Sequence, residues 1–292
     1  MNFIRKHKVI SVILLIISIY IYYNFTIPVE TNKLDKNSYH YVNDLYESDG
    51  RIYKMLDKDE KKMYRTMYEN SKKYNKKIKF YISEYNCTDY NECGELVDIA
   101  HFALHIDHPE LFNYESYRWV SNETEFKLTL DFAIQTKITD QIALMKTERV
   151  LAKIKEETKN MNDLEKIQYV YDWIGTKKYD KLTLGSGKNQ TIYNFFMHNK
   201  SVCLGFAKAS QIIFQNIGIN SYIAIGDKNG SHAWNIVEYK DKYYYFDASV
   251  AASIKDKKSS YYYEGLVQEK MNDYQLEHPD WYPEIEIENV FH

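Results

Sequence analysis

Apolar residues recur three and four apart through much of this chain, broken by shorter alternating stretches. Val42, Leu45, Tyr46, Ile52, Met55 and Leu56 predict short helical pieces interrupted at Asp49-Gly50. Asp57 followed by Glu60 matches a capping box and opens a charged helix reaching about Lys73. Lys79–Ser83 reads as a strand. Leu96, Ile99, Ala100, Ala103 and Leu104 share a helix face, and that helix must end before Pro109. Tyr114–Val120 and Glu125–Phe132 predict an antiparallel pair around Ser121-Asn122.

From about Thr139 the pattern is helical. Asn162 and Glu165 form a second capping-box signature ahead of Leu164, Ile167, Val170, Tyr171 and Ile174. Tyr179–Gln190, with Gly185 and Gly187, reads as a loop, and Thr191–His198 as a helix. Cys203 then opens an amphipathic helix carrying Phe206, Ala209, Ile213 and Ile217, stopped by Gly218. Strands follow at Ser221–Ile225, His232–Tyr239 and Lys242–Asp247. No internal repeat is present. The fold class this predicts is α+β, with a smaller α+β region ahead of a second part built on a helix and an antiparallel sheet.

The N-terminus changes the picture. Arg5, Lys6 and Lys8 precede an apolar run from Val9 to Tyr23, which Ile27 extends past Asn24 and Thr26. A basic flank before such a run is an export signal. The stretch after Tyr20 lacks the Ala or Gly of a small-x-small cleavage site, and Tyr20, Tyr22 and Tyr23 suit a membrane interface. A retained signal anchor over residues 1–27 is therefore expected, with secretion after cleavage as the alternative. The basic end stays cytoplasmic and the globular part lies outside the cell. A polar stalk covers 28–38, an α+β region 39–138, a core 139–260, and a C-terminal extension 261–292 packs on that core.

With 292 residues, 45% hydrophobic and 27% charged, the chain has a globular composition and room for one or two domains. Its 38 basic and 41 acidic residues leave no footprint for nucleic acid. The 29 tyrosines invite an aromatic binding surface, but Lys, Asn and Ile are abundant too, so a compositional bias accounts for them better.

Three cysteines, Cys87, Cys93 and Cys203, are an odd number for an exported chain, so at least one thiol is unpaired. Cys87 and Cys93 are near enough in sequence to form a disulfide. Cys203 would then be free, at the start of a helix whose dipole favours a thiolate. His232 and Asp247 follow on separate strands. Nucleophile, base and orienting carboxylate are the three types a cysteine hydrolase or acyltransferase needs. Taken singly, each has a plain structural reading. A two-residue hairpin loop at Tyr239-Lys240 or Lys240-Asp241 puts His232 and Asp247 on one sheet face, which an odd-length loop without a bulge would not.

The stretches VCLGFAKAS, then Gly226 ahead of SHAWNIV, then YYYFDAS resemble the core of the transglutaminase-like superfamily, a papain-like fold. YDWI at 171–174 and Tyr179-Asp180 fit the helix and loop before the cysteine in bacterial members. HPELF at 108–112 is similar to a segment in their amino-terminal part. The resemblance implies Cys203 as nucleophile, His232 as base and Asp247 as orienting carboxylate, with Trp234 and Asn235 packing rather than reacting. It implies a backbone N–H at Cys203 as one oxyanion donor. Animal transglutaminases use an upstream Trp side chain as the second, and Tyr179 is the candidate for that place. Ser201 stands where many relatives have Gly, and Val250 where a Trp is frequent.

No cofactor is expected. Cys87, Cys93, His101 and His105 have C-x5-C-x7-H-x3-H spacing, which leaves a zinc site and free thiols open beside the disulfide. Two functional classes remain. One is a cell-surface thiol enzyme acting on protein or peptide amides through a thioester, as protease, deamidase or acyl transferase. The other is an inactive module that binds cell-wall peptide or a surface protein.

Overall fold

Local signals set most of the element boundaries. The computed structural model describes residues 50–111, 113–133, 137–184, 186, 188–253 and 273–284. The run from Val9, the stalk and residues 42–46 lie outside them. Among the described residues no helix is long and apolar enough to cross a membrane.

Helix α1 (Arg51–Met55) leads into α2 (Lys58–Lys72), which opens on the expected capping box: Asp57 accepts from the Asp59 and Glu60 amides, and its own amide donates to Glu60. Strand β1 (Lys77–Tyr81) begins and ends two residues earlier than its sequence pattern, and it ends at Tyr81 because Ile82–Glu84 tighten into a 3-10 turn. Asp89 caps α3 (Tyr90–Asp107), and Cys87 and Cys93 are bridged across that helix start, with Cα atoms 5.4 Å apart. Strands β2 (Tyr114–Ser121) and β3 (Glu125–Phe132) complete an antiparallel sheet of order β1-β3-β2.

The second part runs α4 (Lys137–Thr158), α5 (Asp163–Gly175), β4 (Lys178–Tyr179), α6 (Ile192–His198), β5 (Lys200–Ser201) and α7 (Cys203–Asn216). Asn162 and Glu165 make the second capping box. Strands β6 (Ser221–Asp227), β7 (Ser231–Tyr239) and β8 (Lys242–Phe246) are followed by α8 (Ala248–Ser253) and β9 (Gln275–Leu276). The sheet has the order β8-β7-β6-β9, and all its pairings are antiparallel. Helix α7 packs on β6 and β7.

Strand alternation divides this sheet into two faces. Ile223, Ile225, Ala233, Val237, Tyr244 and Phe246 pack towards the helices, while Ala224, Trp234, Ile236 and Tyr245 form the opposite cluster. The apolar core of the first region, from Met63, Val97 and Phe126, runs on into Leu204, Ala207, Ile223, Ile225 and Ala233. Helix α3 rests directly on β6. The α+β region thus helps bury the helix that bears Cys203, and the two regions read separately from sequence share one core.

The hairpin between β7 and β8 uses the Lys240-Asp241 loop. Both residues have positive φ (52° and 61°), as a type I′ turn needs, and Tyr239 faces Lys242. That register leaves Asp247 one step beyond the Asn235–Phe246 pair, on the face that carries His232.

Four elements were not evident in the sequence: β4, β5, α8 and β9. Helix α8 is too short to show a period. Strand β9 pairs only through Gly226–Leu276 and Asp227–Gln275, a contact that alternation over two residues cannot announce. Gly226 is the residue that lets β9 approach: a Cβ there would lie 1.9 Å from the Gln275 carbonyl oxygen. Gly226→Ala is expected to lower stability by about 1–3 kcal/mol through displacement of β9. Urea unfolding reads this directly, and an unchanged midpoint would mean that β9 yields freely.

Candidate active site

Cys203 is the first residue of α7. Its N-cap, Val202, is extended and offers no side-chain acceptor, so the helix start is left to the sulfur. Burial pushes the thiol up, but this is outweighed by a hydrogen bond to His232, by the charge of that ring, and by the backbone N–H groups of Ala233 and Leu204. The thiol is therefore held below the ordinary cysteine range, and it is partly exposed.

His232 lies near the start of β7. Its Nε2 is 2.8 Å from Oδ2 of Asp247, which leaves Nδ1 for the thiol. Burial lowers the ring's basicity, yet the Asp247 and Cys203 contacts win and raise it to about 9. These contacts favour the charged form of each partner, thiolate and imidazolium.

Asp247 follows β8 and is fully buried. Burial alone would raise its carboxyl, but its donors hold it well below the usual carboxylate range. Oδ2 faces His232, the Tyr274 hydroxyl at 2.8 Å and the Lys228 ammonium at 3.2 Å. Oδ1 accepts from the Ser249 amide at 3.0 Å and the Ser249 hydroxyl at 2.6 Å, which also caps α8.

Tyr179 reaches the same point by a different route. β4 pairs in parallel with β5, setting Tyr179 beside Ser201, two residues before Cys203. The Tyr179 hydroxyl hydrogen-bonds the Cys203 side chain and accepts the Cys203 backbone N–H. Burial, then the neighbouring sulfur, hold it well above its ordinary range, so it stays a protonated donor.

Neighbouring side chains brace these groups. Trp234 and Asn235 are buried, and the Asn235 amide donates to the Ala207 carbonyl at 3.0 Å, tying β7 to α7. Ser201 fills the space a glycine would leave, donating to the Asn189 carbonyl, and it packs so close to Gly205 that a Cβ there would meet its hydroxyl at 1.9 Å. At Val250, where a Trp is frequent, α8 has already begun.

The C-x5-C-x7-H-x3-H spacing does not assemble a metal site. Cys87 and Cys93 are bridged to each other, His101 Nδ1 meets the Tyr114 hydroxyl at 2.7 Å, and His105 Nδ1 lies 2.5 Å from Lys208 Nζ. Among the described residues no group of three or more His, Cys, Asp or Glu is arranged to hold a metal ion. Lys208 is fully buried on α7, and burial lowers its ammonium to about 7 against the pull of Glu110 and Glu115.

Sequence reasoning missed three residues at Asp247. Ser249 had a usable signal, because Asp-x-Ser before a helix is a capping pattern. Lys228 had none in a turn rich in polar residues. Tyr274 lies 27 residues beyond Asp247, and only tertiary structure joins them.

Residues 152–248 match the family model of the transglutaminase-like superfamily. Among solved structures the chain is similar to a TGase, with 16% identity and a TM-score of 0.34, over 52% of this chain and 47% of that one. It is similar also to a candidate cysteine protease from Cytophaga hutchinsonii, with 13% identity and a TM-score of 0.31, over 46% of this chain and 61% of that one. A candidate protease from Parabacteroides distasonis gives 12% identity and a TM-score of 0.29, over 46% and 36%. The chain thus spans less than two thirds of each of these proteins. Comparison with the curated proteins gives no match. Cys203, His232 and Asp247 all fall within residues 152–248, the stretch that is similar to the transglutaminase-like superfamily.

Proposed function

We propose that the protein is a cysteine enzyme acting on protein or peptide amides, with Cys203 as nucleophile, His232 as acid and base, and Asp247 as the carboxylate that orients the ring. The observation that carries this reading is the hydrogen-bonded chain from the Cys203 thiol through His232 to Asp247.

The chemistry follows from those positions. The thiolate attacks the amide carbon, a C–S bond forms, and the carbonyl electrons move onto oxygen. The Cys203 N–H and the Tyr179 hydroxyl, which meet each other in the free protein, are the donors that would receive that oxyanion. As the intermediate collapses, the C–N bond breaks and imidazolium Nδ1 gives its proton to the leaving amine. A thioester remains, with His232 neutral. The ring then takes a proton from water, giving hydrolysis or deamidation, or from an amine, giving transfer. Access of water against amine decides between these outcomes.

The reactive form requires both charges, so the rate should rise with pH as Cys203 ionises. It should fall as His232 loses its proton at about 9. The assay follows ammonia release and dansylcadaverine incorporation with dimethylcasein across pH 5–11 (a general range for titrating thiols and imidazoles, of about six units). Rate that keeps climbing through the alkaline range would show that the imidazolium is not required.

The reading extends to location. The basic flank and the run from Val9 support a domain held outside the cell by an N-terminal anchor, where wall peptide or surface protein would be its substrate. Protease added to intact cells should then digest the globular part. Full protection in intact cells, with digestion after lysis, would place the domain inside.

A further inference from the structure

Oδ2 of Asp247 does not serve His232 alone. The Tyr274 hydroxyl donates to it at 2.8 Å, and Lys228 Nζ approaches it at 3.2 Å while also hydrogen-bonding the Tyr274 oxygen. Tyr274 belongs to the C-terminal segment and is delivered by β9, which β6 accepts because residue 226 is glycine. Its ring is fixed edge-on to Trp234, with centroids 4.9 Å apart, and rests 5.5 Å from Tyr245. Burial, then the Asp247 charge, keep its hydroxyl protonated, so it can only donate to the carboxylate.

We propose that Tyr274 and Lys228 are positioning residues: by sharing Oδ2 they draw charge from Asp247 and set how firmly it holds His232 in its charged form. The inference rests on the thiolate–imidazolium reading above. A carboxylate oxygen that gives part of its charge to two other donors offers less to the third. Removing either donor therefore strengthens the His232–Asp247 contact and stabilises the imidazolium. The other charged and titratable groups facing this pair are Cys203 from α7, Tyr179 from β4, Tyr171 from α5, and Asp273 beside Tyr274.

The test is the pH dependence of Cys203 alkylation by iodoacetamide, which needs no substrate. It reads one thiol, because Cys87 and Cys93 are bridged and the chain has three cysteines. Tyr274→Phe keeps the ring and removes the hydroxyl; Lys228→Met keeps the stem and removes the charge. Each should raise the upper apparent pKa, where the imidazolium is lost, by about one unit. Thermal melting of both variants confirms that they are folded. If the wild-type thiol titrates as an ordinary cysteine, the catalytic reading fails and this inference falls with it. If the wild type shows the pair but the upper pKa is unmoved or lowered in both folded variants, the catalytic reading stands and the positioning role is wrong.

Discussion

Cys203→Ala should abolish turnover, by about 10⁴-fold or more, because no other group can take the place of the nucleophile. The remaining cysteines are bridged to each other at the start of α3. Removing a partly exposed sulfur leaves only a small gap, so the stability cost should be about 1 kcal/mol or less. The combination separates loss of chemistry from loss of fold: thermal melting stays near wild type while the steady-state rate vanishes. His232→Ala should cost nearly as much, since residues that act as a unit are not additive. Retention of most activity in Cys203→Ala would mean that the amide is attacked by something else.

The second large effect belongs to Asp247, where activity and stability are both at stake. Its two oxygens accept from His232, Tyr274, Lys228 and both donors of Ser249. Asparagine has the same shape but one oxygen. Whichever way the amide turns, its NH₂ group faces donors, either the Ser249 pair or the group around His232. Asp247→Asn should therefore lower the rate by about 10²–10⁴-fold, because the imidazole loses the acceptor that fixes its tautomer and charge. Asp247→Ala leaves half-buried Lys228 and the Tyr274 and Ser249 donors without their acceptor and should cost about 1–3 kcal/mol of stability as well. The folded-state carboxyl is depressed, so its contribution is present above the unfolded carboxylate range and is lost as pH falls towards the folded value. Unfolding in urea at neutral pH and in acid measures this. An equal stability gap between wild type and Asp247→Ala at both pH values would remove the ion pairing from the account.

Much of this site is legible in the chain because local rules fix its parts. Two capping boxes set the starts of α2 and α5, and Gly218 ends α7. The choice between two hairpin loops needed the structure, which selects Lys240-Asp241 by placing both residues at positive φ. Either choice kept His232 and Asp247 on one face, so the constellation survived the ambiguity. Tyr179 was reached through resemblance alone, and its place beside the thiol depends on a two-residue parallel pairing that no periodicity reveals. The shared core between the first region and α7 was likewise hidden, since apolar spacing marks a buried face on α7 but does not reveal that Ala207 and Ile223 join the core of the first region. The partners of Asp247 were hidden most deeply. Tyr274 is one of 29 tyrosines, and only β9 docking distinguishes it from the rest.

The central claim is that His232 and Asp247 hold Cys203 as a reactive thiolate. The direct measurement is the rate of Cys203 modification by chloroacetamide at pH 6, followed by mass spectrometry of the intact protein. The account predicts one adduct, on Cys203, formed at least about tenfold faster than on a free thiol at that pH, with the advantage lost in His232→Ala. Modification at the rate of an ordinary thiol, unchanged in His232→Ala, would contradict it.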